Sequence, residues 1–502
     1  MRRAIAFALL LALAPAGARA ETVRAAVAAF PPTLGNPFSG ASQPSSEMWL
    51  SVFDGVTRLG WTGGPEPGLA LSWTNTSPTT WRFMLRPGVT FHNGKPFTAQ
   101  DVVDVLALLK RPEMARYLIA AELQSVRGAR AIDPMTVEIE TAEPDAILPN
   151  RLAVMMIVDV AAWDGAGVDA FTRAPVGTGP FRLTAWREGT ALAVLGRHAG
   201  SWRAPAEVSR LEYRLVPDKT ARLQSLISRQ TDVVTGLHVD DVATVEGMGL
   251  KALVFQNPQI KSIALPNLHA GDHPLKDVRV RQALNFAVDK DSIARHIMLG
   301  FAEPAGQGAG RDTFGFNPEV KPYPYDPARA KALLIEAGYP DGFDMRIEVV
   351  VDNATPDALL YQQVAQDLAA VGVRVTLGSI TFADYSRKYA AADWGEADAF
   401  HLIWNNAAFQ DPIRAIEYFS CLKVNPFFCE DSLVPEIRAS SRELSRDKRE
   451  KMLQGIMARL HDLAPAIWLT NSVYTVAHSP RIEVFEMRPT GIVFENIGFG
   501  IQ

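Results

Sequence analysis

Two strand-helix-strand units, set far apart along the chain, constrain its fold more than any other feature. In the first, Leu211, Tyr213 and Leu215 alternate with polar residues as a strand, and Asp218 caps a helix carrying Leu223, Leu226 and Ile227 on one face; Asp232 to Leu237 is a second apolar strand. Strands joined through a helix by short connections must run parallel in one sheet. In the second, Met345, Ile347, Val349 and Val351 alternate, Asp357 to Val371 reads as helix, Gly372 breaks it, and Val373, Val375 and Leu377 alternate again. Just before it, Asp326-Pro327 supplies a helix cap with proline at the first helical position, and Gly338 ends that helix. Between the units, Ala264 to Pro274 is the most linker-like interior stretch, and a capped helix follows from Asp277. The expected architecture is α/β, with two lobes and a cleft between them.

The remaining segments add smaller pieces. Thr22 to Ala28 reads as a short strand, followed by an irregular Pro-, Gly- and Asn-rich segment, Pro31 to Pro37, in which prolines remove ladder donors. Trp81, Phe83 and Leu85 alternate with polar residues, turns follow at Pro87-Gly88 and Asn93-Gly94, and Thr98 with Asp101 forms a capping box opening a helix.

Met1-Arg2-Arg3, the apolar run Ala4 to Ala14, Pro15 and Ala18-Arg19-Ala20 form a secretory signal peptide, residues 1–20, so the mature chain is expected to start near Glu21. The run is too short to span a bilayer, and no cysteine stands at the cleavage point to take a lipid, so the expected location is a periplasm, free of the membrane. The mature chain, about 480 residues, has the size of roughly three domains. The net charge of −5 for the full chain and the lack of a basic stripe argue against nucleic acid as a partner. Cys421 and Cys429 are the only cysteines, and an exported chain favours a disulfide between them; without paired histidines they make a poor zinc site.

Catalytic signatures are absent: no Gly-x-Ser-x-Gly, no His-Glu-x-x-His, no phosphate-cradling glycine loop, and Gly306-Gln307-Gly308-Ala309-Gly310 has the wrong spacing for a dinucleotide. His92 reads as a turn residue, and His269 and His273 lie four apart in the linker, a poor arrangement for a metal; no metal, cofactor or catalytic residue is expected. Phe400 to Cys429 is the more informative stretch. Trp404, Asn405, Asn406 and Asp411 combine an aromatic face, amides and a carboxylate, which suit a polar organic ligand. Asn36, in the irregular segment after the first strand, joins them in the candidate ligand-binding set. The alternative at these positions is that Trp404 packs in a core and Asp411-Pro412 caps the helix containing Ile416.

Trp81 to Val103, Pro175 to Phe181, Asp277 to Leu284 and Tyr325 to Phe343 resemble, in order, blocks of the family 5 extracytoplasmic solute-binding proteins, the peptide- and nickel-type receptors of ABC importers. The resemblance implies a two-lobed periplasmic-binding-protein fold, type II-like and of cluster C, with an extra domain inserted in the first lobe. Carried over, lobe I comprises 21–49, 171–265 and 479–502, the inserted domain 50–170, and lobe II 266–478. It implies a monomeric, non-enzymatic receptor that captures a small molecule or peptide and delivers it to ABC permease subunits. Opines, glutathione-like conjugates, oligosaccharides and nickel chelates are rival ligands, and an exported hydrolase is the rival from another class. In peptide-binding members an aspartate three residues after the tryptophan holds the ligand's α-amino group; here that position is Ala407, which puts peptide specificity in doubt and leaves Asp411 as a substitute.

Overall fold

The structure is a computed structural model describing residues 21–500 apart from 32, 41–42, 61–63, 187–188, 204–206, 351–357, 392, 424 and 489. The leader and its cleavage site lie outside the described residues, as do Pro32, Val351 and Asp357.

The chain opens with β1 (Glu21–Val27) and α1 (Gln43–Val52). A separate four-stranded antiparallel sheet comes next, from β2 (Ala70–Ser77), β3 (Thr80–Leu85), β4 (Val126–Asp133) and β5 (Thr136–Thr141), with α2 (Ala99–Leu109) packed on it. Trp81, Phe83 and Leu85 all point inward from β3, as their alternation predicts, and the Thr98 N–H donates to the Asp101 carboxylate at 2.8 Å in the expected capping box.

The chain then runs through β6 (Phe181–Trp186), β7 (Leu192–Arg197), β8 (Val208–Leu215), α3 (Lys219–Ile227), β9 (Val233–Leu237) and the long β10 (Lys251–Ala264). It continues as α4 (Val278–Ala287), α5 (Pro327–Glu336), β11 (Phe343–Val350), α6 (Ala358–Ala369), β12 (Val373–Ile380) and β13 (Ala399–Trp404). The last large elements are α7 (Ile413–Tyr418), α8 (Arg446–Leu463) and β14 (Ala466–His478).

One ten-stranded sheet takes the order β12-β11-β13-β10-β14-β9-β1-β8-β7-β6. Both strand-helix-strand units form, with parallel strands. β11 pairs directly with β12, whereas β8 and β9 flank β1 and each pairs with it in parallel. The caps are where the sequence puts them: Asp218, Asp277 and Asp326 each accept a backbone N–H of the first turn they precede.

β10 and β14 pair antiparallel from Lys251 opposite His478 to Ala264 opposite Ala466, and they join the two halves of the sheet. The ladder slips between Asn257 and Ile260, where Pro258 has no N–H to donate. On one side of this seam a single core takes in Val23, Leu211 and Tyr213 together with Phe83 and Ile139 of the four-stranded sheet. On the other side lie two cores, one around Val280, Leu334, Ile347 and Val364, the other around Phe400, Trp404, Phe419 and Trp468.

Candidate functional site

β13 ends at Trp404, beside the slip in β10, and the break in the ladder frees backbone carbonyls for the residues beyond the strand. Trp404 is 1% exposed; its ring stacks on Phe419 at 4.1 Å and lies 4.8 Å from that of Trp468. Gly308 presses on the same ring, where a Cβ would come within 2.1 Å of it. The glycine-rich run 306–310 therefore serves close packing. Asn406 donates from Nδ2 to the Pro258 carbonyl at 2.9 Å and the Gly308 carbonyl at 2.7 Å, tying the β10 slip to that run. Asn405 accepts from Gln259 Nε2 at 3.0 Å. The buried Trp404 Nε1 and Asn406 Oδ1 have no partner among the described residues.

Asp411 is buried, and its carboxylate takes both terminal nitrogens of Arg449, itself buried on α8; the Nη2 contact is 2.9 Å. Its Oδ1 also accepts the Ile413 N–H at 3.0 Å, the local cap that the Asp-Pro pair anticipates. Asn36 stands apart from these residues. It closes its own turn by accepting the Phe38 N–H at 3.0 Å and donates to the Tyr117 hydroxyl at 3.1 Å, next to the short helix Leu118–Glu122. Cys421 and Cys429 are disulfide-bonded, and Asn267 of the linker bonds both the N–H and the carbonyl of Cys429. These sulfurs belong, with Asp431, to the only three-residue metal-type grouping among the described residues, and being bonded to each other they offer no thiolate.

His92 is engaged through both ring nitrogens, with the Gly179 carbonyl and the Gly177 N–H. His269 and His273 stack at 3.8 Å and both reach Asp398.

A pocket opens in front of this assembly, lined by Tyr389, Trp404, Asn405, Arg414, Tyr418 and Phe427 among others. Its rings contact one another: Tyr418 stacks on Phe427 at 5.1 Å, and Tyr389 meets Phe427 edge-on at 5.1 Å. The disulfide loop holds Phe427 in this wall. Glu122 Oε1 accepts from Arg414 Nε at 3.1 Å, so a residue of the short helix in the first third of the chain meets α7. Burial opposes the Arg414 charge, but Tyr389 and Glu122 outweigh it and the guanidinium is held above its ordinary pKa. Burial pushes the Tyr389 phenol up to about 12, so at neutral pH it is an uncharged hydroxyl. None of the described lining residues is Ser, Thr, Cys or His. The arrangement suits holding a molecule by stacking, amide contact and one guanidinium.

Sequence reading singled out Trp404 and Asn405 of this pocket and missed Arg414, its ion-pair partner Glu122, and Tyr418. The signal for Arg414 was a charge set inside the apolar run Ile413-Arg414-Ala415-Ile416. Nothing local marks Glu122.

The family profile described as bacterial extracellular solute-binding proteins, family 5 Middle, matches residues 64–425. The chain is 27% identical over 501 residues to heme-binding protein A of Haemophilus influenzae, covering 92% of this chain and 88% of that protein. It is 26% identical over 423 residues to the glutathione-binding protein GsiB of Pectobacterium atrosepticum, covering 82% and 80%. A dipeptide-binding protein from Pseudoalteromonas sp., solved with Met-Leu, superposes with a TM-score of 0.82 at 20% identity over 96% of this chain and 100% of that one. The fold is the two-lobed α/β fold of these binding proteins.

Proposed function

Because the chain belongs to the bacterial extracellular solute-binding proteins of family 5, we propose that it is a periplasmic receptor that captures a small polar ligand, a peptide or peptide-like compound, between its lobes. It hands that ligand to the permease of an ABC importer. The observation that carries this reading is the pocket lined by Trp404, Asn405 and Arg414, together with the ion pair that Arg414 makes with Glu122 of the first third of the chain. In this reading the two lobes close around the ligand, which favours the closed form by its tighter binding there.

Within this proposal lobe I is 21–49, 171–265 and 479–502, with 50–170 inserted, and lobe II is 266–478. Trp404, Asn405 and Asn406 build the ligand-facing wall, Asn36 steadies Tyr117 beside the opposite wall, and Asp411 acts through Arg449 by fixing the segment that enters α7. The receptor acts as a monomer and without catalysis, after removal of its leader. Heme, glutathione and dipeptides are the cargoes named for its relatives, and a peptide-like ligand is consistent with the last two.

The test is native mass spectrometry of protein isolated from a periplasmic extract, paired with small-angle scattering before and after removal of whatever is bound. A discrete adduct, lost on denaturation, and a larger radius in the stripped protein are expected. No adduct and an unchanged radius after adding the extract back count against the receptor. Turnover of fluorogenic peptide or glycan substrates, abolished by one substitution, favours the hydrolase instead.

A further inference from the structure

Arg414 is nine-tenths buried and is the only formally charged residue among the described residues lining the pocket. Its guanidinium is half used. Nε donates to Glu122, whereas neither terminal nitrogen has an acceptor among the described residues. Arg414 lines the pocket, and neither terminal nitrogen is among the fully buried polar atoms that lack partners. A guanidinium held through Nε presents its two terminal N–H groups as a fork, the geometry that receives a carboxylate in two parallel hydrogen bonds.

The charges nearby point the same way. Position 407 is an alanine and Asp411 is committed to Arg449, so neither supplies a free carboxylate to an ammonium group. Around the fork the walls are flat and apolar, with Tyr418 stacked on Phe427 and Tyr389 beside them.

We propose that Arg414 is the anion anchor of this receptor, binding the carboxylate of a ligand whose apolar body lies against the wall that Tyr389, Tyr418 and Phe427 form together. Glu122 is a positioning residue. It fixes the guanidinium plane through Nε and, since it reaches across from the short helix Leu118–Glu122, the anchor is fully oriented only when the two sides are closed. Ligand binding and closure are thereby coupled at one ion pair. This inference rests on the receptor reading and specifies its ligand class.

The experiment measures calorimetric affinities of phenylacetate, indole-3-acetate and N-acetyl-L-tyrosine, each beside its carboxamide, for the wild type and for Arg414→Met, Arg414→Lys and Glu122→Ala. Circular dichroism and melting temperature check the fold of each variant. At least one acid is expected to bind the wild type about tenfold or more tighter than its amide. Arg414→Met is expected to abolish that preference. Arg414→Lys keeps the charge without the fork and should lose most of it. Glu122→Ala should weaken the acid and leave the amide nearly unchanged. Acids and amides binding alike, or a folded Arg414→Met protein that retains the acid preference, overturns the anchor while leaving the receptor standing. No probe binding the wild type overturns the anchor as stated; if the scattering radius also fails to respond to periplasmic extract, the receptor reading falls with it.

Discussion

Replacing Asp411 by alanine leaves the Arg449 guanidinium buried with the Ser440 carbonyl as its remaining hydrogen-bond acceptor and the Phe314 ring 5.4 Å away. The side chains of Arg449 and Asp411 are only 5% and 2% exposed, so solvent screens this pair little. Breaking such a pair from one side costs about 3–5 kcal/mol, because the surviving charge has paid its desolvation and lost its partner. The Ile413 N–H also loses its acceptor, adding roughly 1 kcal/mol. For a cooperative unit the size of one lobe, at about 2–4 °C per kcal/mol, the single substitution should lower the melting temperature by about 10 °C or more. The double variant Asp411→Ala/Arg449→Met removes the stranded charge and keeps an apolar stem, and it should recover most of that loss. Differential scanning calorimetry of the wild type, both single variants and the double variant at one pH completes the cycle. An Asp411→Ala protein that loses less than about 1 kcal/mol, or a double variant that melts as low as it does, refutes the argument that Asp411 is bound up with Arg449.

Gly308→Ala places a methyl group 2.1 Å from the Trp404 ring and should destabilise by about 1–3 kcal/mol, with partial rescue by Trp404→Leu; an unchanged melting temperature would mean that the 306–310 run can move aside. Glu47, buried on α1 against Tyr474, has its pKa pushed by burial from 4.5 to about 8, with the Tyr474 hydroxyl acting in the opposite sense. The folded chain thus holds this proton more tightly than the unfolded chain, a stabilisation complete below about pH 4.5 and lost as pH rises through about 8. Glu47→Gln imitates the protonated form, so its melting temperature should match the wild type near pH 4 and exceed it progressively up to about pH 8, and a difference that does not change with pH sinks this reading.

Much of the scaffold was legible because its signals are local. A capping aspartate acts on an N–H two or three residues away, as Asp218, Asp277 and Asp326 do. Strand alternation on β3 needs only its own period of two, and helix-linked strands need only short joints to run parallel. The pairing of β8 and β9 through β1 was not written in the unit itself, since the intervening strand, Glu21–Val27, comes from far earlier in the chain.

The pocket was half legible for the same reason. Trp404 and the asparagines announce themselves as an aromatic-amide cluster, but which of them packs and which faces a ligand depends on Gly308, Pro258 and Phe419 arriving from elsewhere.

By itself, then, the sequence determined the α/β class, the helix boundaries, the family and the two cysteines available for a disulfide, all of which rest on short-range sterics, hydrogen bonding and ordered motif blocks. Only the tertiary structure decided how the charges pair. Asp411 meets Arg449 38 residues on, and Arg414 meets Glu122 292 residues back, each through chain reversals that no periodicity encodes. A carboxylate acts as cap, counter-ion or ligand anchor according to which cation burial brings within about 3 Å, and that distance belongs to the folded chain.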